Sequence, residues 1–259
     1  MLYATLLTDL SEGILTATVN RPEKLNALNH QVMADLEMLM DEVAACADVK
    51  ALILTGAGEK SFVAGADISE FLAADAAGAS CMAQRGQDVF ARFEQSPKPV
   101  LAAVNGFALG GGCELAMSCH LRIASESARF GQPEVNLGII PGYGGTQRLT
   151  RLVGRGKALE WMMSGQMIDA HEAHARGLVN HVTSPKELLP ESRKLLSVIL
   201  SRSPTAVARV IAAVNASHDG RIDGFEEEVR LFGECSGTED MKEGVTAFLE
   251  KRKPIFPGR

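Results

Sequence analysis

The chain has 259 residues, of which 46% are apolar and 22% are charged, and its formal net charge is −6. This length and composition allow a full hydrophobic core, as one large domain or one domain with an appendage, and they exclude a disordered protein. Acidic and basic residues are interspersed and acids are in excess, which argues against a broad nucleic-acid-binding face.

In the N-terminal half, predicted strands alternate with predicted helices. Residues Thr5 to Val19 alternate in polarity around Ser11-Glu-Gly13, a pattern that predicts a β-hairpin. Asn29 is a suitable N-cap for a helix, because apolar residues follow it at helical spacing. The remaining elements predicted in this half are a buried strand at 50–55, a helix at 80–94 and a strand at 100–104. The alternation indicates the α/β class, and the sequence itself shows no internal repeat.

The C-terminal part has a different pattern. Helical periodicity occupies residues 157–164, 170–176 and 186–200, and turn signals separate the helices that follow. We therefore predict two regions, a core over residues 1–198 and a mostly helical region over residues 199–259.

The sequence carries no pattern of a secretory signal or a membrane span. The segment nearest to a span, Pro99 to Cys119, contains Asn105, Glu114 and four glycines, which favours a buried strand followed by a buried helix. The five cysteines are odd in number and form no C-x-x-C pair, which argues against a disulfide framework and against a zinc site. We expect a reducing, cytoplasmic environment.

A run of three glycines, Gly110 to Gly112, follows the strand predicted at 100–104. Glycine loses more backbone entropy on folding than other residues, so the run indicates a close approach to the main chain or a positive φ. The next residues look helical, which places N–H groups of the run at a helix N-terminus, where they can stabilise an oxyanion. Glu114 then lies in the first turn, either as a functional acid or as a complement to the helix dipole.

Two further segments are ambiguous by themselves. Glu134 follows Pro133 and precedes an apolar stretch, so it is either an exposed loop residue or a buried functional one. In Ala64-Gly-Ala-Asp67 the small residues permit a tight turn, which is either structural or directs an N–H group inward.

Together these groups would have a chemical use. Two carboxyl groups over one site can steer a water molecule, while N–H donors hold a carbonyl that becomes an enolate.

Common cofactor motifs do not fit this chain. The loop from Thr55 to Ser61 ends in Lys-Ser, but Glu59 stands where a phosphate-binding loop needs glycine. The glycine clusters at 110–112 and 142–145 lack the G-x-G-x-x-G frame of a dinucleotide site. A histidine pair at 171 and 174 has no third ligand nearby, so we predict neither a metal nor a cofactor.

Six motifs run in order along almost the whole chain: Asn20-Arg-Pro-Glu-Lys-Leu-Asn-Ala-Leu28, Phe62-Val-Ala-Gly-Ala-Asp-Ile68, Val104 to Met117, Phe130-Gly-Gln-Pro-Glu134, Gly138 to Leu149, and Glu250-Lys-Arg-Lys-Pro-Ile-Phe256. In this order they resemble the enoyl-CoA hydratase/isomerase (crotonase) superfamily, and most closely its short-chain enoyl-CoA hydratases, also called 3-hydroxybutyryl-CoA dehydratases. The resemblance implies a crotonase (ClpP-like) α/β spiral of ββα units over residues 1–198. It also implies C-terminal helices over residues 199–259 that mediate trimer formation, with two trimers stacked into a hexamer.

The implied reaction is the reversible hydration of a trans-2-enoyl-CoA to a 3-hydroxyacyl-CoA, with no cofactor, nucleic acid or membrane involved. The two N–H groups that hold the thioester oxygen in this family fall on Ala66 and Gly111. The two catalytic carboxyls fall on Glu114, which would deprotonate water, and Glu134, which would protonate the α-carbon. Isomerases of the family generally keep only the second acid, so the presence of both favours hydration.

Contacts with the CoA substrate follow from the same resemblance. The implied substrate-binding residues are Lys24, Ala64, Asp67, Ile68, Ser69, Gly142, Phe248 and Lys251. The cationic tail at 250–253 is by itself either a solvated chain end or a partner for phosphates. The family pattern, in which a C-terminal Phe and Lys approach the nucleotide, favours the second interpretation.

Two positions depart from the family pattern. His120 stands where aspartate is frequent, and Tyr143 replaces a commonly small residue in the Pro-Gly-x-Gly-Gly loop. A bulky ring at position 143 would either narrow the range of acyl lengths or point away from the acyl chain.

Three alternatives accompany the hydratase interpretation: a Δ3,Δ2-enoyl-CoA isomerase, a branched-chain enoyl-CoA hydratase, and the RNA-binding role of one branch that carries a lysine-rich helix. The corresponding helix here, residues 30–48, contains no lysine and five acids. Because phosphate contacts need cations, this composition argues against RNA binding.

Overall fold

The computed structural model describes residues 3–68 and 75–259. Within these ranges the chain forms ten β-strands and ten α-helices, which confirms the α/β class. The strands are β1 (Leu6–Ser11), β2 (Ile14–Val19), β3 (Ala51–Gly56), β4 (Ser61–Ala64), β5 (Val100–Val104), β6 (Phe107–Leu109), β7 (Leu121–Ser125), β8 (Arg129–Gly131), β9 (Ile168–Asp169) and β10 (His181–Thr183). The helices are α1 (His30–Ala45), α2 (Ala76–Glu94), α3 (Gly111–Ser118), α4 (Gly145–Val153), α5 (Arg155–Ser164), α6 (Ala170–Ala175), α7 (Leu188–Leu200), α8 (Pro204–Ala216), α9 (Gly224–Ser236) and α10 (Glu239–Leu249).

The larger sheet has six strands in the order β1-β2-β3-β5-β7-β10. β1 and β2 form the predicted antiparallel hairpin, with Leu6 opposite Val19 and Ser11 opposite Ile14. The other neighbours are parallel. The central strands β3 and β5 are buried along their whole length, as expected for continuous apolar runs that are covered on both faces.

The smaller sheet has the order β4-β6-β8-β9, in which the first three strands are parallel. Along the chain, β3, β5 and β7 enter the larger sheet, and the strand that follows each of them enters the smaller one. Together with α2, α3 and α4 these strands form three successive ββα units, as the family resemblance implies. Because β4, β6 and β8 are parallel, their carboxyl ends lie along one edge of the smaller sheet.

Polar caps set the starts of the two long N-terminal helices. Asn29 Oδ1 accepts a hydrogen bond from the Val32 N–H at 2.9 Å, as predicted for the N-cap of α1. Asp75 Oδ1 caps α2 in the same way, through the Gly78 N–H at 2.8 Å. α2 therefore begins at Ala76, earlier than the start predicted at residue 80, because the cap is an aspartate that the apolar periodicity does not reveal.

Apolar residues are buried on both faces of the larger sheet. On one face Leu52 and Leu54 belong to a cluster that includes residues of the smaller sheet, α1 and α2. On the other face Leu188 and Leu196 of α7 pack in a cluster with Ile53 of β3 and with residues of β5 and β7. The smaller sheet thus shares one buried core with the larger sheet, α1 and α2.

His120 joins the end of α2 to the start of β5. Its Nδ1 accepts a hydrogen bond from the Val100 N–H at 3.0 Å, and its Nε2 lies 3.1 Å from the Glu94 carbonyl oxygen, to which it donates. Burial lowers the pKa of the imidazole, which favours the neutral ring that this pairing requires. The departure from the family pattern at this position is therefore a structural link between two elements.

The C-terminal helices α8, α9 and α10 pack on one another. Asp240 joins their ends, because it accepts hydrogen bonds from Ser203 Oγ at 2.6 Å and from the Gly258 N–H at 2.7 Å. The outer surface of this region exposes large apolar side chains, namely Phe225, Val229, Phe232, Phe248 and Leu249, which we call the C-terminal apolar face.

The segment from Pro99 to Cys119 folds as β5, β6 and α3, in agreement with the strand and helix predicted there. In the part of the chain that the structure describes, no single helix is long and apolar enough to span a membrane. One pair of consecutive helical segments, Pro185–Leu200 and Pro204–Ala216, is long and apolar enough when the two are taken together, and the pair is bent at the break between them.

Candidate active site

Three loops meet at the carboxyl ends of β4, β6 and β8. They contain Gly65 to Asp67, then Gly110 with Gly111, and then Pro133 with Glu134, and all of these residues line one cavity of about 940 Å³. Ligands commonly bind at the carboxyl ends of parallel strands, in pockets of this size. The ββα repeat therefore delivers one loop from each unit to the same cavity.

Glu114 lies in the first turn of α3 and is only 2% exposed. Its Oε1 accepts hydrogen bonds from the Tyr143 N–H at 2.8 Å and the Gly145 N–H at 2.7 Å. Burial raises the pKa of this carboxyl to about 7, and the neighbouring charge of Glu134 also raises it. The hydrogen bonds from the two N–H groups lower the pKa, but their effect is smaller than the combined effect of burial and charge. A carboxyl with this pKa can exchange a proton near neutral pH.

Glu134 begins a 3₁₀ helix, Glu134–Leu137, that follows β8. The side chain is buried, and burial raises the pKa of its carboxyl to about 7. The Gln132 amide is assigned with its nitrogen toward this carboxyl, because that orientation satisfies both of its ends, and it then donates to the two oxygens at 3.1 and 3.2 Å. The structure thus places Glu134 in a buried position rather than on an exposed loop, and its functional role stays a prediction.

Two backbone N–H groups beside the cavity have no partner among the described residues. The Leu28 N–H donates to Gly65 O at 2.9 Å and the Asp67 N–H donates to Leu28 O at 2.7 Å, so the intervening N–H of Ala66 points away from Leu28. The N–H of Gly111 is the first of α3 and has no acceptor within the helix. Both residues line the cavity, so both N–H groups are available to an oxygen bound there.

The glycine run has both of the physical reasons that the sequence predicts. Gly110 has a φ of +49°, and a Cβ on it would lie 2.9 Å from Glu134 Oε1. At Gly112 a Cβ would lie 1.9 Å from Val63 O, because α3 packs directly on β4. The run thus permits a backbone approach that no side chain allows.

Most of the predicted site residues line this cavity: Glu114, Glu134, Ala66, Gly111, Lys24, Ala64, Asp67, Ile68 and Gly142. Ser69 lies outside the described residues. Phe248, in α10, and Lys251, just after it, are exposed and are not among the described residues that line the cavity. Contact with CoA stays a prediction for the whole set, whether or not the residue lines the cavity.

The sequence did not predict the wall that α2 and the segment 137–141 provide. Ala79, Ala83 and Gln87 lie on one face of α2 and line the cavity. Their helical spacing was a usable signal once the start of α2 was known. Ile140 also lines the cavity, although it is 71% exposed. The apolar stretch around it did not indicate which of its residues face the site.

The arrangement combines two functions in one cavity. Two carboxyls with raised pKa can share a proton and exchange it with water, and two N–H donors can stabilise negative charge on a carbonyl oxygen. Within residues 3–68 and 75–259 no group of three or more His, Cys, Asp or Glu side chains is placed to hold a metal ion.

Comparisons of the whole chain with known proteins give one family. A family model described as enoyl-CoA hydratase/isomerase matches residues 9–259. A short-chain-enoyl-CoA hydratase from Clostridium acetobutylicum is 51% identical over 243 residues, which are 93% of this chain and 92% of the relative. A crotonyl-CoA hydratase from Syntrophomonas wolfei is 48% identical over 257 residues, which are 99% of each chain.

Solved structures give the same result. Enoyl-CoA hydratase subunit I from Geobacillus kaustophilus superimposes with a TM-score of 0.93 at 39% identity and covers 99% of each chain. An enoyl-CoA hydratase from Bacillus anthracis superimposes with a TM-score of 0.92 at 36% identity, over 98% of this chain and 100% of its own. Sequence and fold thus match from one end of the chain to the other, and the chain belongs to the enoyl-CoA hydratase/isomerase family.

Proposed function

We propose that the chain catalyses the reversible hydration of trans-2-enoyl-CoA thioesters to 3-hydroxyacyl-CoA. One observation carries the proposal: two buried carboxyls, each with a pKa raised to about 7, line the same cavity as two backbone N–H groups without partners among the described residues. The relatives named as enoyl-CoA hydratases support the same activity.

In the proposed mechanism the N–H groups of Ala66 and Gly111 bind the thioester oxygen. Charge that develops there as an enolate is then stabilised by donors that need no reorganisation. Ionised Glu114 removes a proton from water, which attacks the β-carbon. Protonated Glu134 delivers a proton to the α-carbon, and the reverse sequence dehydrates the product. The proposed steps use only groups of the chain, so we keep the prediction of no cofactor.

A Δ3,Δ2-enoyl-CoA isomerase is the competing activity within the family. Moving a double bond requires one group that carries a proton between two carbons. Adding water requires a second group that removes a proton from the water. The second buried carboxyl therefore favours hydration over isomerisation. Incubation with crotonyl-CoA should remove the absorbance of the conjugated thioester. A protein that leaves it unchanged while converting a 3-enoyl-CoA would be an isomerase.

We propose that the acyl group is short, because the ring of Tyr143 occupies space beside the oxyanion site. The ring packs edge-to-face on Phe90 with centroids 5.6 Å apart. On one side a Cβ at Gly86 would lie 2.1 Å from the ring, and on the other a Cβ at Gly111 would lie 3.4 Å from it. The ring is thus fixed between two glycines and lines the cavity. The relatives named for short-chain and crotonyl substrates support this proposal.

Tyr143→Ala should therefore extend the range of acyl lengths. The backbone N–H that binds Glu114 remains, while the removed ring leaves room for several methylenes, each worth about 0.8 kcal/mol when buried. We expect kcat/KM for an eight-carbon enoyl-CoA to rise by about tenfold or more relative to crotonyl-CoA. Tyr143→Phe keeps the ring and should keep the original ratio. An unchanged ratio in Tyr143→Ala would show that the ring does not limit the acyl chain.

For the CoA part of the substrate, we propose contacts with Lys24 and with the backbone of Ala64, Asp67, Ile68 and Gly142, which line the cavity. Ser69, Phe248 and Lys251 remain in the proposed set. Phe248 and Lys251 are exposed and do not line the cavity among the described residues, so their proposed contact with the nucleotide rests on the family resemblance alone.

We also propose that the chain assembles into a hexamer of two stacked trimers through the region 199–259, with 1–198 as the catalytic core. The C-terminal apolar face supports this assembly, since Phe225, Val229 and Phe232 recur at helical spacing on α9 and are exposed. Large exposed apolar patches mark interaction sites.

The five cysteines are free, which supports the expectation of a reducing, cytoplasmic environment.

Phe232→Asp should disrupt this assembly, because it places a charge in the buried centre of the proposed contact. Light scattering during size-exclusion chromatography should give a hexamer for the wild type and a smaller species for the variant. Lys186→Ala, an exposed change in the turn Pro185–Glu187 and outside the region 199–259, serves as the control and should leave the mass unchanged. A monomeric wild type would contradict the proposal.

A further inference from the structure

Arg148 is a nearly buried cation one turn along the helix that begins at Gly145. Its Nη1 donates to the Tyr143 carbonyl oxygen at 2.8 Å. Its Nε and Nη2 donate to Glu94 Oε2 at 3.2 and 2.9 Å. The guanidinium therefore joins the end of α2 to the turn that precedes α4.

The same turn binds the carboxylate of Glu114. The Tyr143 N–H and the Gly145 N–H both donate to Glu114 Oε1, so Tyr143 is held at its N–H by Glu114 and at its carbonyl by Arg148. Between them Gly144 has a φ of +100°. The turn thus lies between an anionic and a cationic side chain, and each binds a different part of it.

Two glycines make this geometry possible. A Cβ at Gly144 would lie 2.4 Å from Arg148 Nη1, and a Cβ at Gly145 would lie 2.8 Å from Glu114 Oε1. Since neither position has space for a side chain, the backbone itself contacts both charged groups. A change in the position of the guanidinium will therefore move the N–H groups that hold the carboxylate.

We propose that Arg148, held in place by Glu94, is a positioning residue that keeps the turn at 143–145 in the geometry in which both N–H groups bind Glu114. The inference rests on the proposed catalytic role of Glu114. Loss of the guanidinium leaves the Tyr143 carbonyl without its charged donor and frees the turn to relax. Small displacements of a group that acts on the substrate lower the turnover rate more than they lower substrate affinity.

The test is a double-mutant cycle with crotonyl-CoA as substrate. Arg148→Met should lower kcat by about 10²-fold with KM changed less than about threefold. Arg148→Lys should restore part of the rate, because an ammonium can reach the carbonyl or Glu94 but lacks the planar fork that binds both. Arg151→Met, on the same helix and away from the cavity lining, is the matched control and should keep wild-type kinetics.

The decisive variant is Arg148→Met in a Glu114→Gln background. If Arg148 acts through Glu114, it should cost less than about threefold there, because groups that act as a unit are not additive. A loss as large as in the wild-type background would overturn the proposal, as would an unchanged kcat in Arg148→Met. Should Arg148→Met fail to fold, Glu94→Gln enters the same cycle with the same criterion. Failure of the proposed function is seen separately, as a kcat that Glu114→Gln alone leaves unchanged.

Discussion

Glu114→Gln and Glu134→Gln should each lower kcat for crotonyl-CoA hydration by about 10³-fold, within the range of loss when a general acid or base is removed. Glutamine nearly matches the shape of the carboxyl, and its side-chain oxygen can still accept the hydrogen bonds that Glu114 receives from Tyr143 and Gly145. What it cannot do is take up or release a proton. The rate is measured from the loss of the enoyl thioester absorbance. Near-wild-type turnover in both variants would show that the two-acid mechanism is wrong.

The dependence of the rate on pH provides a second measurement. The mechanism needs one ionised and one protonated carboxyl, and the pKa of each is raised to about 7. We therefore expect kcat to fall on both sides of neutral pH, and the two apparent pKa values belong to the pair rather than to either residue. A rate that does not change between pH 5 and 9 would contradict this expectation.

The thermal stability of the glutamine variants separates lost chemistry from lost folding. A carboxyl whose pKa is higher in the folded than in the unfolded state binds more protons when folded, so its ionisation lowers stability as pH rises from the unfolded pKa through about 7. Glutamine has no charge to bury. At pH 8 the Tm of Glu114→Gln should therefore equal or exceed that of the wild type, so that low activity cannot be ascribed to unfolding.

Gly111→Pro should lower kcat/KM by about 10²-fold or more, because proline has no N–H and one donor of the proposed oxyanion hole is lost. Proline is well tolerated at the first position of a helix, which Gly111 occupies in α3. The preceding Gly110 has φ +49° and ψ −125°, the mirror image of an extended conformation, which glycine can adopt before proline. The backbone should therefore accept the substitution.

The matched control is Gly111→Ala, which keeps the N–H and adds only a Cβ. That Cβ would lie 3.1 Å from Leu28 Cδ1, a contact that a side-chain shift can relieve. Alanine should therefore lose only a few-fold in kcat/KM, and the ratio of the two variants isolates the donor together with the space that the proline ring takes. Equal losses in both variants would show that the Gly111 N–H does not contribute.

Several elements of the fold were predictable because local signals determine them. The hairpin, the Asn29 cap and the apolar strands β3 and β5 depend on alternation, on a capping side chain and on continuous apolar runs. The repetition of ββα units was not visible from residue patterns. β6 and β8 have only three residues each, which is too short for a recognisable pattern. The units therefore repeat in their topology and not in their sequence. The family resemblance supplied it.

The site was predictable only where chemistry required unusual residues. Three successive glycines indicated a close backbone approach, and Gly110 and Gly112 show one. The burial of Glu134 and the direction of the Tyr143 ring depend on segments distant in sequence, Gly110 for the first and Gly86 for the second, and no local pattern encodes these contacts. The link from Glu94 through Arg148 is a tertiary contact of the same kind.

The delivery of one loop by each ββα unit has a consequence for changing the reaction. The proposed enolate-stabilising donors come from the loop after β4 and from the first residue of α3, whereas Glu114 lies in the first turn of α3 and Glu134 follows β8. Replacing Glu114 or the loop of Glu134 leaves both donors in place. The scaffold therefore separates activation of a thioester from the choice of what reacts with it. An engineer could retain the first and introduce a new nucleophile or proton donor one loop at a time.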